Sequence, residues 1–186
     1  VFDMDGTLVD SVYDWPRIRQ RLGVASGSII EQLNSLPEPE RSEKWHELEM
    51  IEGEATRAAH LKPGARELLA LLAERSRPTA LVTNNSSINT ANALSRFGLG
   101  FDVVLTRDSG MYKPSGTPIA EAVHRLGVRP EHTLAVGDSH YDIEAARDAG
   151  CGEVWIVFDG SGRHHGVANL SFPDLWSLIR SLQSTL

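Results

Sequence analysis

Cysteine is almost missing from this chain: Cys151 is the single one in 186 residues. That excludes an intrachain disulfide and a zinc site assembled from cysteines. No apolar run approaches the roughly 20 residues that a membrane-spanning helix needs. Positive charge is not in excess either. The formal net charge is -7, which argues against a surface built for nucleic-acid backbones. An anionic ligand must then be attracted by a local cluster of cations or by a metal, not by the global field. No signal peptide is visible, and the scarcity of cysteine suits a reducing cytoplasm, the expected location. The chain opens abruptly on Val1-Phe2; a buried strand would need more, so a few upstream residues are expected.

What is present describes a folded protein. Hydrophobic residues make up 41% and charged residues 23%, a balance that supports a core and disfavours general disorder. The length allows one full domain plus a modest insertion. Val1 to Asp3 read as the end of a buried strand, halted at Gly6. From Ser11 to His60 the apolar residues recur at helical spacing: Tyr13, Ile18 and Leu22, then Ile29, Ile30 and Leu33, then Trp45, Leu48, Met50 and Ile51. Two or three helices fit, with Pro37 and Pro39 breaking the pattern, and no strand is expected.

After Lys62-Pro63-Gly64 the rhythm alternates. Helices are expected over 65–75, near 88–97, and over 118–126, 143–149 and 173–182, the last with Pro173 in its first turn. Strands are expected over 79–83, 101–105, 133–136 and 154–158. Strands alternating with helices imply a parallel sheet covered on both faces, and the wholly apolar Ala80-Leu81-Val82 agrees. The expected fold is α/β: a doubly wound, Rossmann-like parallel core over 1–10 and 61–186, with a small all-helical cap over 11–60.

In such sheets the ligand sits beyond the carboxyl ends of the strands. Asp3-Met4-Asp5-Gly6-Thr7-Leu8 follows the first strand and Thr83-Asn84-Asn85-Ser86 the second. Lys113-Pro114 lies in the loop after the third, and Gly137-Asp138-Ser139, with Asp142, follows the fourth. Four polar groups thus emerge at one edge of one sheet. Taken singly, an Asp after a strand is ordinarily a turn or helix cap, Thr-Asn-Asn-Ser is a good helix start, and a Lys before Pro is a solvated loop residue.

Together, in this order, the four segments resemble the motifs of the haloacid dehalogenase superfamily, in its phosphoglycolate phosphatase-like branch with a small helical cap after the first motif. The resemblance spans nearly the whole chain, and the cap carries no motif of its own. It implies a phosphatase that uses Asp3 as nucleophile and Asp5 as the acid and base. It implies Mg²⁺ held by Asp3, the backbone carbonyl of Asp5, and Asp138. Phosphate would be bound by Thr83, Asn84 and Lys113, with Gly6 allowing the backbone to approach it. Asp142 would steady a metal-bound water or Lys113. The chemistry is coherent: a phosphate dianion repels nucleophiles, so positioning and charge neutralisation carry the reaction. Attack by a carboxylate divides one hard step into two.

The expected partner is a small phosphorylated metabolite, such as a phosphoglycolate-like compound or a sugar phosphate; no nucleic acid and no membrane are expected, and the sequence leaves the oligomeric state open, a monomer included. Two rival readings are a phosphomutase of the β-phosphoglucomutase type and a non-catalytic regulatory protein on the same scaffold. Dehalogenation needs neither a metal nor a leaving-group acid, and Asp5 and the acidic Asp138 segment disfavour it. In the cap, Arg17 and Arg21 lie four apart on one helical face, where they could grip a substrate carboxylate or a second phosphate; the alternative is a solvated helix surface. Trp15, Trp45 and Cys151 read as packing residues. His164-His165 and Gly160-Ser161-Gly162 read as an exposed loop, because no further metal partner and no third glycine stand at the required spacing.

Overall fold

The computed structural model describes residues 1–157 and 167–185. The expectations for Gly160, Gly162, His164 and His165, and for the end of the strand at Phe158, lie outside the described residues. The chain divides into two compact units, one formed by Val1–Asp10 with His60–Leu186 and the other by Ser11–Ala59.

The first unit is an α/β fold on a parallel sheet. Its two shortest strands, β1 (Val9–Asp10) and β2 (His60–Leu61), pair antiparallel, where the chain leaves and re-enters the unit. The remaining elements are α4 (Ala65–Glu74), β3 (Ala80–Val82), α5 (Ser87–Phe97), β4 (Val103–Leu105), α6 (Thr117–Leu126), β5 (Leu134–Gly137), α7 (His140–Asp148), β6 (Glu153–Val157), β7 (Leu170–Phe172) and α8 (Leu175–Thr185). Parallel pairing links β3 to β4, β5 to β6, and β6 to β7. The opening segment fills the middle, with Phe2 bridging Leu81 on one side and Val136 on the other, both parallel. The order across the sheet is therefore β4, β3, the Phe2 segment, β5, β6, β7. The polar residues that follow Phe2, Val82 and Gly137 all leave at one edge, because all three segments run the same way.

Ala80 and Val82 join the core cluster that includes Ile119 and Val123 of α6 and Ile143 of α7. Leu81 points to the other face and is equally buried, so the sheet is covered on both sides. Truncating Leu81 to alanine should cost about 2–5 kcal/mol, read as a lower urea midpoint at unchanged slope.

Several element boundaries differ from the expectation. Helix α7 begins at His140, three residues early, because Ser139 and Asp142 form a reciprocal capping box. Pro173 precedes α8 and is not in its first turn; the Asp174 carboxylate accepts the Ser177 N–H at 2.7 Å and starts the helix there. Strands β1, β2 and β7 were not expected; β2 begins at His60, at the end of the stretch read as wholly helical.

The second unit is all-helical: α1 (Trp15–Leu22), α2 (Ile29–Ser35) and α3 (Glu40–Ala58). Ile18, Leu22, Val24, Leu33 and Leu48 form its core, with Trp45 packed against it. Trp15 is not a core residue; it is 48% exposed, its ring tilted against Tyr13 at 4.7 Å. Cys151, in the first unit, packs half-buried against the core cluster.

Candidate active site

Asp3 emerges from the sheet centre and is 8% exposed. Its N–H donates to the Val136 carbonyl at 3.0 Å, which fixes where the carboxylate begins. Lys113 reaches it from the loop after β4. The Lys113 ammonium donates to Asp3 Oδ1 and to Asp142 Oδ1, both at 2.6 Å, and is itself buried. Burial alone would lower the Lys113 ammonium, but the two carboxylates more than offset it and hold its pKa above the ordinary value.

Asp142 is committed on both oxygens. Its Oδ2 accepts the Ser139 N–H at 3.0 Å, the Ser139 hydroxyl at 2.7 Å and the Asp138 N–H at 3.2 Å. Burial pushes Asp142 up, yet Lys113 and the Ser139 bonds prevail and keep it below the usual carboxylate range. Gly137 makes this contact possible, since a Cβ there would collide with the Asp142 side chain.

Asp3 is pushed well above the usual range by burial, with Lys113 opposing and Asp142, Asp138 and Asp5 adding to the rise. Asp138 is pushed up to about 7, by burial first and by Asp142 next, against Lys113 and Lys62. One buried ammonium is thus set against a crowd of carboxylates. Oxygens of Asp3, Asp138 and Asp142 lie within 4.8 Å of one another. With Asp142 committed to Lys113 and Ser139, Asp3 and Asp138 are the pair suited to a cation. Their donors are all carboxylate oxygens, which fits a hard divalent ion such as Mg²⁺.

Two backbone segments hold these groups in place. Gly6 has φ +91°, and a Cβ there would land on the Asp138 carboxylate. Thr7, fully buried, donates to Asp3 Oδ2 at 3.1 Å or Asp138 Oδ1 at 3.5 Å. Thr83 is buried at the end of β3, and its Oγ1 accepts the Asn85 N–H at 3.1 Å. The Asn84 side chain does not face the carboxylates as a free donor. Its amide group donates to the Lys113 carbonyl and its oxygen accepts the Lys113 N–H, both at 2.8 Å. These two bonds tie the Asn84 side chain to the Lys113 backbone and so place Lys113. Arg107, buried, donates to the Asn84 carbonyl at 3.0 Å and braces the loop from behind.

Thr7, Asn85 and Arg107 were not singled out from the sequence as site residues. Thr7 sits inside the first motif and Asn85 inside the second, which is the only signal they carry. Arg107 lies in a loop with none. Arg17 and Arg21 belong to the helical unit, where they line a cavity of about 390 Å³ with Tyr13, Ile18, Ile51 and Glu54. Arg21 is held there by Glu47 at 3.1 Å.

Comparison with known proteins gives the family. Residues 1–150 match the family model described as haloacid dehalogenase-like hydrolase. An uncharacterized hydrolase of Saccharomyces cerevisiae is 28% identical over 99% of this chain and 90% of its own length. A phosphoglycolate phosphatase of Nitrosococcus oceani is 30% identical over 98% of this chain and 92% of its own. Among solved structures, a hydrolase from Pseudomonas syringae superposes with a TM-score of 0.82 at 22% identity, covering 98% of this chain and 96% of that one. With a match over most of its length and a carboxylate cluster at the sheet edge where the motifs converge, this chain belongs to the haloacid dehalogenase-like hydrolase family.

Proposed function

We propose that the chain is a Mg²⁺-dependent phosphatase for a small phosphate monoester, acting through an aspartyl-phosphate on Asp3. The observation that carries this reading is the buried line Asp3–Lys113–Asp142, which aims one oxygen of a nucleophilic carboxylate and fixes a cation beside it. Lys113 holds Asp3 Oδ1, and Thr7 holds Oδ2, so the carboxylate cannot rotate away from the bound phosphate. The Lys113 charge also attracts the phosphate oxygens that Asp3 repels. Thr83 and the start of α5 supply further donors. Asp5 gives a proton to the leaving oxygen, then takes one from the water that attacks the aspartyl-phosphate. Mg²⁺, when bound by Asp3, Asp138 and the Asp5 carbonyl, neutralises charge on the nucleophile and the phosphate. Residues 11–59 serve as the cap, with Arg17 and Arg21 as candidate contacts to the rest of the substrate.

The relatives make 2-phosphoglycolate the first substrate to test. With Mg²⁺, purified protein should release inorganic phosphate from a generic aryl phosphate, and a panel of phosphorylated metabolites should rank the physiological substrate. Transfer of the phosphoryl group to another substrate hydroxyl, with no free phosphate, would make it a mutase. No turnover of any ester would leave the non-catalytic reading.

The crowded carboxylates also predict a pH signature. Asp138 and Asp3 both carry raised pKa values in the folded state, so between about pH 4 and pH 6, below the range where the buried Val1 ammonium gives up its proton, the folded chain binds more protons than the unfolded one. Stability of the metal-free protein should therefore fall as pH rises through that window, by an amount on the order of a few kcal/mol. Added Mg²⁺ should raise Tm more at pH 8 than at pH 5, since it competes with those protons. Asp138→Asn should flatten the metal-free profile and remove much of the Mg²⁺ shift. A metal-free Tm that climbs from pH 4 to pH 6 would contradict this.

A further inference from the structure

Asn85 lies two residues past Thr83, three beyond the end of β3, and is 3% exposed. Its carboxamide is fixed at both ends. The Ser86 N–H donates to its Oδ1 at 2.8 Å; because a backbone N–H can only donate, the oxygen must face Ser86 and the NH₂ must point the other way. That NH₂ donates to Asp5 Oδ2 at 2.9 Å, across 80 residues of sequence. The Asn85 backbone is pinned as well, its N–H donating to Thr83 Oγ1 at 3.1 Å and its carbonyl accepting the Arg107 N–H at 3.2 Å. A rigid donor is therefore aimed at one chosen oxygen of Asp5.

We infer that Asn85 is the positioning residue for Asp5, holding Oδ2 as an acceptor so that the transferred proton is carried on Oδ1. This rests on the phosphatase reading above. An amide N–H needs a lone pair, and the unprotonated oxygen of a carboxylic acid is the better acceptor. In the first step an Asp3 oxygen bonds to phosphorus, the ester P–O bond breaks, and the leaving oxygen takes the proton from Asp5 Oδ1. In the second, a water oxygen bonds to phosphorus, the Asp3–phosphorus bond breaks, and the water proton returns to Oδ1. Without the Asn85 donor, Asp5 can rotate, and both proton transfers lose their geometry.

The test compares two esters. A glycerol phosphate leaves as an alkoxide and needs the acid; 2,4-dinitrophenyl phosphate leaves as a stable phenolate and does not. Asn85→Ala removes the donor, and Asn85→Leu removes it at nearly the same side-chain size. Both should lower kcat/KM for glycerol phosphate by about a hundredfold and for the dinitrophenyl ester at least about tenfold less. The dinitrophenyl ester should also show a burst of one phenolate per enzyme, because the aspartyl-phosphate now outlives its formation. Equal losses on both esters, no loss on either, or no burst would overturn the role of Asn85. Undiminished turnover in Asp3→Asn would instead overturn the phosphatase reading beneath it.

Discussion

Asp3→Asn should abolish turnover of every phosphate ester, by about four orders of magnitude or more, while the protein stays folded. Asparagine has nearly the same shape, can accept from Lys113 with its amide oxygen while its NH₂ donates to the Thr7 hydroxyl, and keeps the backbone bond from its N–H to Val136. What it lacks is the charge and nucleophilicity that an aspartyl-phosphate requires. A loss of that size corresponds to about 5.5 kcal/mol of barrier. The buried surroundings sharpen the prediction. Lys113 would lose one of its two carboxylates but keep Asp142 at 2.6 Å, so the ammonium remains paired. Removing the Asp3 charge also removes the repulsion that Asp142, Asp138 and Asp5 exert on that carboxylate, so the metal-free variant should melt no lower than the wild type at pH 8. Phosphate release and a melting curve on the same preparation check both halves. Turnover equal to wild type would remove the mechanism.

Gly6→Ala should have the next largest effect, for a different reason. The position has φ +91°, a conformation that costs an L-residue about 1–2 kcal/mol. The added methyl would also meet the Asp138 carboxylate. Either the turn after Asp3 opens or Asp138 moves, and a shift of an ångström in such a site costs about a hundredfold in rate. The expected result is a loss of at least about a hundredfold in kcat, with a weaker rise in Tm on adding Mg²⁺. Unchanged activity would show that the close approach of Gly6 to Asp138 is not needed.

The helical unit offers no comparable prediction from its sequence, because its residues carry packing more than chemistry. Ile18, Leu22, Leu33 and Leu48 explain why three helices cluster. They say nothing of which molecule Arg17 and Arg21 meet. Many sequences make the same helices.

Much of the α/β framework is written in local pattern. Ala80-Leu81-Val82 is apolar throughout because both faces of the sheet are covered, and Ile119, Ala122 and Val123 repeat at helical spacing because one face of α6 is buried. The boundaries were less legible. His140 and Tyr141 show no apolar period, so the start of α7 is marked only by the Ser139–Asp142 capping pair. Leu170-Ser171-Phe172 is too short to announce a strand, and becomes one by pairing with β6.

By itself, the sequence determined that Asp3, Thr83, Lys113 and Asp138 follow successive strands, and hence that they share one edge of a parallel sheet. Strand polarity is a property of chain order, and chain order is the sequence. Only the tertiary structure decided what each polar atom faces. Lys113 meets Asp3 across 110 residues and Asp142 across 29, and Asn84 turns its amide to the Lys113 backbone. Asn85 reaches Asp5 and not solvent. These pairings are directional bonds of under 3 Å between groups that local pattern cannot align. They exist because a covered sheet brings its loop ends together and excludes the water that would otherwise satisfy each one.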